Sequence, residues 1–210
     1  FHVSNALSLT VKNIRLPTIT RIKMLLLKHR ICSTVDNVDI VSGESQYTLD
    51  LFENEVPSKK QIQYHILRNG YSSEDVSVIG QNYLGSEHDE YAMTIGIASY
   101  KRLDIVYKIF KNLQENNKIL KKLYVVASPY DIPYMPALIP KKFNLDKDVV
   151  VDTFNDREEL VKLMSGMKYF ISASQIENGS NALLEGLIFS QNVIASDIPA
   201  HRELLAGLDY

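Results

Sequence analysis

In the second half of the chain, short apolar runs alternate with segments whose apolar residues recur every three or four positions. Met93–Ile97, Leu123–Ala127, Val149–Asp152, Tyr169–Ser172 and Val193–Ser196 have the length and β-branched content of buried strands. The segment near Lys101–Asn116 carries Leu103, Val106, Phe110 and Leu113 on one helical face, and that near Arg157–Gly166 carries Leu160 and Leu163. Strand and helix units alternating at this length predict an α/β fold with a Rossmann-like parallel sheet. The first half is patterned less regularly. Val38–Ser42 reads as a strand, Gln46–Asn54 as a polar helix, and Ile62–Leu67 as a further strand ending in the turn Arg68-Asn69-Gly70. Ser72–Glu90 has no strong period and contains Gly80 and Gly85, so it reads as a crossing between domains with the boundary near residue 85. The pattern thus places the end of one α/β domain in 1–85 and a Rossmann-like domain in 86–210.

Thr10–Val35 holds six basic residues, Lys12, Arg15, Arg21, Lys23, Lys28 and Arg30, and no acidic one. Ile19, Ile22, Leu25, Leu26 and Leu27 recur near helical spacing, and Pro17 suits a helix start. Such a helix either packs with its cations in solvent or lies on an anionic membrane surface, which makes residues 12–30 a candidate for peripheral membrane contact. A net charge of −2 argues against nucleic acid as a main partner. The single cysteine, Cys32, excludes an internal disulfide and fits a reducing, cytoplasmic compartment. No apolar run approaches the roughly 20 residues that span a bilayer.

The richest chemistry lies in Ser172–Asp197. Glu177 and Glu185 flank Asn178-Gly179-Ser180-Asn181, between one strand and a helix that leads into the next. In an open α/β sheet the loop after a strand is where ligands bind. Small residues at the helix start leave backbone N–H groups open to a phosphate. A phosphate seat with a carboxylate on each side suits a nucleotide-sugar, because carboxylates accept hydrogen bonds from hydroxyls at both of its ends.

The run S-x-I-E-N-G-S-N-A-L-L-E-G-L, followed by V-I-A-S-D, resembles the donor-site signature of the group 1 (family 4) glycosyltransferases. The resemblance implies a two-domain GT-B fold and transfer of a sugar from a nucleoside-diphosphate sugar to a carbohydrate or lipid-linked acceptor. It further implies retention of configuration, no obligatory metal or other cofactor, and a setting in surface polysaccharide or glycan synthesis; the cytoplasmic location, at the inner face of a membrane, is the expectation from Cys32 and the basic helix instead. By position, Glu177 contacts the transferred sugar, Glu185 the ribose hydroxyls, and the backbone of Gly179, Ser180 and Asn181 the diphosphate. His2 resembles the family's acceptor-side histidine, which follows a strand, and Thr153 lies where the family places the nucleobase. In the first βα turn, Lys101 and Arg102 match the cations that neutralise the diphosphate. Ile97 occupies the place of an expected arginine, so either Arg102 covers both tasks, or another cation such as Arg68 swings in, or donor binding is weak. The resemblance also implies a chain truncated at both ends, with only the last third of the acceptor-side domain.

Other signals are weaker. Asp146-Lys147-Asp148 precedes its strand, at the wrong end of the sheet for a metal–diphosphate site, and reads as a charged turn. Asn178-Gly179-Ser180 is formally a glycosylation sequon. His29, His65, His88 and His201 lack metal-ligand spacing. There is no G-x-G-x-x-G, and Ser174 lacks a nucleophile elbow. Two alternatives stand beside the transferase: a nucleotide-sugar 2-epimerase-like enzyme, and a non-catalytic module that keeps the fold without donor binding.

Overall fold

Two units emerge in the computed structural model, which describes all residues except 4–5, 12–13, 15, 71–89, 117–119, 129–142, 144, 146, 155 and 207–210. The expected crossing with its boundary near residue 85, and Lys12, Arg15 and Asp146, therefore lie outside the described residues. The first unit comprises 1–70, 174–180 and 197–210, and the second 71–173 and 181–196.

In the first unit, β1 (His2–Val3), β2 (Ile40–Gly43) and β3 (Gln63–Ile66) form a parallel sheet in that order, with Val3 opposite Gly43 and Val41 opposite Tyr64. Helix α2 (Gln46–Glu55) starts at Ser45, whose side chain accepts from the Thr48 N–H at 3.2 Å, the N-cap that Ser is suited to supply. Leu49 and Phe52, three apart on one face of α2, are buried in a core with Val3, Ile31, Val35 and Val41. Helix α1 (Thr18–Thr34) follows Pro17, and only Ile31 within it is buried. Thr20, Met24, Lys28 and Cys32 are half-buried on the same side, while Ile19, Ile22, Leu25, Leu26 and Leu27 are exposed. The apolar spacing that predicts this helix therefore marks its outer face, not the one that packs. Lys28 is paired with Glu55.

In the second unit, five strands form an all-parallel sheet in the order β6 (Val149–Thr153), β5 (Lys122–Ala127), β4 (Tyr91–Ile95), β7 (Tyr169–Ser172) and β8 (Asn192–Ala195). Tyr91 through Thr94 are all buried, as expected for a central strand covered on both faces. Helix α3 (Leu103–Asn116) buries Leu103, Val106, Tyr107 and Phe110, with Leu113 partly packed, so the predicted face is the observed one. Burial pushes the Tyr107 phenol up to about 12. Helix α4 (Arg157–Ser165), capped by Asp156, instead buries Val161 and Met164; Leu160 and Leu163 are only half-buried. The packing row is offset by one residue from the predicted one, a rotation of about 100° at 3.6 residues per turn. Helix α5 (Asn181–Phe189) lies so close to β7 that a Cβ on Gly186 would come within 2.2 Å of the Phe170 ring. The last helix, α6 (Pro199–Leu205), belongs to the first unit. Among the described residues no helix is long and apolar enough to cross a membrane.

Candidate functional site

In the second unit the chain runs outward from β4 through β5 to β6, then returns to the other side of β4 for β7 and β8. The order reverses between β4 and β7, which pair at Ala92–Tyr169 and Met93–Phe170. That reversal opens a crevice at the carboxyl ends of the strands, where doubly wound sheets bind their ligands. The turn after β4 enters it through Gly96, at φ 93°, whose N–H donates to the Val126 carbonyl at 2.8 Å. A Cβ at Gly96 would stand 3.0 Å from Lys101 Cε, so the lysine stem folds back over the glycine. Lys101 Nζ lies 5.8 Å from the centre of the Tyr100 ring. Ile97 packs against the core of this unit, and no cation substitutes for it at its own position.

Arg102 adopts a left-handed conformation at φ 52°, and its carbonyl accepts from the Ile105 N–H at 2.8 Å, which starts α3. Its guanidinium donates to both Asp104 oxygens, at 2.9 and 3.0 Å. Hydrogen bonding from Arg102, reinforced by its charge, holds the Asp104 carboxyl below its ordinary value. Arg102 is thus engaged with the first turn of its own helix.

Glu185 lies one turn into α5, its side chain mostly buried at 15% exposure, and accepts from Arg157 Nη1 at 2.8 Å. No other partner of Glu185 is present among the described residues. Arg157 is the first residue of α4, where a cation opposes the helix dipole. That misplacement was the available signal for this residue, which sequence reasoning missed: a cation at a helix start needs a partner elsewhere. Thr153 ends β6, the edge strand two places from the reversal, and its N–H donates to Asp152 Oδ1 at 2.7 Å. Lys101, Arg102, Glu185, Asn181 and Thr153 all stand in segments that start at or follow the carboxyl ends of these strands.

The segment 174–180, which follows β7 in sequence, groups with the first unit. Glu177 accepts from Ser174 Oγ at 2.6 Å. Asn178 is buried; its Nδ2 donates to the Val3 carbonyl at 2.8 Å, and its Oδ1 accepts from Thr48 Oγ1. A Cβ on Gly179 would meet Glu44 Cβ at 2.7 Å and Asn69 Nδ2 at 3.2 Å, so the backbone passes where only glycine fits. Ser180, buried and at φ 43°, lies with its Oγ 3.3 Å from Nε2 of the buried His201. His2 lies in the two-residue β1, and its Nδ1 is 3.0 Å from Ser42 Oγ. The two-residue strand is formed by pairing with β2, a tertiary contact that local pattern does not reveal.

Glu203 on α6 accepts from the Gln46 and Tyr47 N–H groups at 2.9 and 3.2 Å, so the free amides of α2's first turn meet a carboxylate there and the Ser45 hydroxyl at Thr48. Arg68 Nη2 lies 3.4 Å from Glu203 Oε1. Arg68 is therefore held within the first unit by an acid that sequence reasoning did not single out. Glu44, Arg68, Asn69, Gly179 and Glu203 line a small cleft of this unit. Among the described residues no group of three His, Cys, Asp or Glu side chains is arranged to hold a metal ion.

An all-parallel sheet that reverses at its first-formed strand, with a glycine turn and a helix start at the reversal, defines a doubly wound, Rossmann-like α/β domain. No protein-family model matches the chain, and no curated protein matches it. Solved structures do. Anabaena HepE, determined with UDP and glucose, is 15% identical at a TM-score of 0.67, with 97% of this chain and 54% of HepE covered. Sucrose-phosphate synthase from Thermosynechococcus elongatus is 15% identical at a TM-score of 0.65, with 94% and 49% covered. S. aureus TarM, in complex with fondaparinux, α-GlcNAc-glycerol and UDP, is 16% identical at a TM-score of 0.61, with 82% and 32% covered. These are GT-B glycosyltransferases with Rossmann-like domains, and the chain shares their fold. It spans about half the length of HepE and of the synthase and about a third of TarM.

Proposed function

We propose that the chain is the donor-binding part of a glycosyltransferase that moves a sugar from a nucleoside-diphosphate sugar to a carbohydrate or lipid-linked acceptor. One observation carries the reading: Glu185 is mostly buried one turn into the helix that starts at the sheet's reversal, with one carboxylate oxygen fixed by Arg157. A carboxylate held in place on one side and open on the other suits the paired hydroxyls of a ribose. The amides at Gly179–Asn181, at the start of α5, then seat the diphosphate. Lys101, in the turn after β4, serves in this reading as the cation for a leaving group whose charge grows in the transition state. Glu177 contacts the transferred sugar, His2 reaches it from the acceptor side, and Thr153 borders the base. Arg102, tied to Asp104, contributes through the helix start it forms, or by exchanging Asp104 for phosphate on binding.

The group 1 (family 4) assignment, retention, independence from a metal, and a role in surface polysaccharide or glycan synthesis at the cytoplasmic face belong to the same proposal. The family assignment, with the retention, metal independence and role it implies, rests on the Ser172–Asp197 motif, and the cytoplasmic setting on the lone Cys32. UDP and UDP-sugar complexes of structurally similar proteins favour uridine as the first base to try.

A thermal-shift screen with UDP, GDP, ADP and their sugars tests the reading. A nucleotide at a hundred times its dissociation constant stabilises by about 2.7 kcal/mol, and Glu185→Ala should abolish the response. A second reading, a module that keeps the fold without binding donor, is favoured by Ile97 in the core and Arg102 engaged with Asp104. Silence toward every nucleotide would decide for it.

A further inference from the structure

The strongest feature outside the donor site is the outer face of α1. Ile19, Ile22, Leu25 and Leu26 are 71%, 53%, 44% and 64% exposed, a level at which large apolar side chains normally occur singly and not as one row. Ile19, Ile22 and Leu26 follow i, i+3, i+7 spacing and so form one stripe, opposite the side on which Thr20, Met24, Ile31 and Val35 meet the unit. Cations flank the stripe on both sides. Lys23 and Arg30 stand one turn beyond Ile19 and Leu26, and Arg21 stands one turn before Leu25. All three are exposed, and none has an ion-pair partner among the described residues. No acidic residue occurs from Phe1 through Val35.

We infer that this face of α1 docks on an anionic lipid bilayer, with Ile19, Ile22, Leu25 and Leu26 entering the headgroup boundary and Arg21, Lys23 and Arg30 contacting lipid phosphates. The charge decides the occupant. An apolar stripe alone would suit a second copy of the chain, but two copies meeting there would bring their uncompensated cations together. A negatively charged surface satisfies both the stripe and its flanks. Lys28, paired with Glu55, takes no part. The inference is independent of the donor-site reading.

Co-sedimentation with vesicles of phosphatidylcholine alone, or with about a third phosphatidylglycerol, tests it. The chain should bind the anionic vesicles, release as salt rises toward roughly 0.5 M, and ignore the neutral ones. Lys23→Gln with Arg30→Gln should weaken binding about thirtyfold. Ile22→Ser with Leu26→Ser should weaken it at least tenfold, because both lost side chains enter the boundary. All four positions are exposed, so circular dichroism of both variants should match the parent. Absence of binding to anionic vesicles at low salt, or variants that bind like the parent, would overturn the inference. So would a dimer in light scattering that Ile22→Ser with Leu26→Ser dissolves, which would assign the face to a second copy.

Discussion

Asn178 sits inside the motif between the two glutamates, and the structure gives it an anchoring task open to direct measurement. Its amide bridges the Val3 carbonyl in β1 and the Thr48 hydroxyl in α2, both fully enclosed. Asn178→Ala removes both bonds. Thr48 keeps its contact with Ser45 Oγ at 2.9 Å, so that loss is one ordinary hydrogen bond, about 1 kcal/mol. The Val3 carbonyl keeps no such substitute from this loop, and a buried acceptor left bare costs about 2 kcal/mol. The sum, about 3 kcal/mol, is a large fraction of the roughly 5–15 kcal/mol that stabilises a domain. Asn178→Asp is the sharper probe. It can still accept from Thr48 but sets a carboxylate against the Val3 carbonyl with nothing to donate, so it should cost at least as much as alanine. Urea unfolding at constant m-value measures the loss, and amide exchange in β2 assigns it to the first unit. Losses under about 0.5 kcal/mol for both variants, or a benign aspartate, would show that the loop is solvated and refute the anchoring.

Three further outcomes follow from the geometry. Gly186→Ala should lower the stability of the second unit by about 1–3 kcal/mol, because the new methyl overlaps the Phe170 ring. Phe170→Leu in the same chain should restore part of it, and an unchanged melting temperature for the single variant would contradict the close approach. Glu203→Ala should cost about 2–3 kcal/mol and speed exchange of the Gln46 and Tyr47 amides, which lose a charged acceptor, while Glu203→Gln should cost about half as much. Protection of those amides unchanged in Glu203→Ala would remove the cap. Arg102→Gln should raise the Asp104 carboxyl toward the ordinary 3.8, read by NMR titration. Because the folded value is depressed, the pair stabilises above the ordinary carboxylate range and is lost as the pH falls below about 4; half-exposed, it is worth under about 1 kcal/mol. An Asp104 titration that does not move would sever the pair.

Strands and helices were legible because each is dictated by local periodicity: every strand expected from the apolar runs is present within one or two residues of its expected ends. Orientation was less legible. Helix α1 has two apolar rows, Ile19–Ile22–Leu26 and Met24–Ile31, the second continued by Val35 just past the helix end, and nothing local says which one a core will cover. The same ambiguity, one residue wide, separates Leu160 and Leu163 from Val161 and Met164 in α4. At the site, side-chain type and spacing pointed to Glu185 and the glycine loop, but not to what holds them. Arg157 on Glu185, Asn178 on Val3 and Glu203 on the start of α2 are contacts across 28, 175 and 157 positions of the chain. Arg102 illustrates the converse: its composition fitted a phosphate ligand, while the aspartate two residues on had the nearer claim.

The central claim, that Glu185 holds the ribose of a bound nucleotide, is tested most directly by a calorimetric cycle. UDP and its 2′,3′-dideoxy analogue would be titrated into the parent chain and into Glu185→Gln. Loss of hydroxyls that bond a carboxylate should weaken the parent's binding on the order of tenfold to a hundredfold, and should change the variant's binding by less than about threefold. An equal loss in both proteins would place the ribose away from Glu185 and contradict the account.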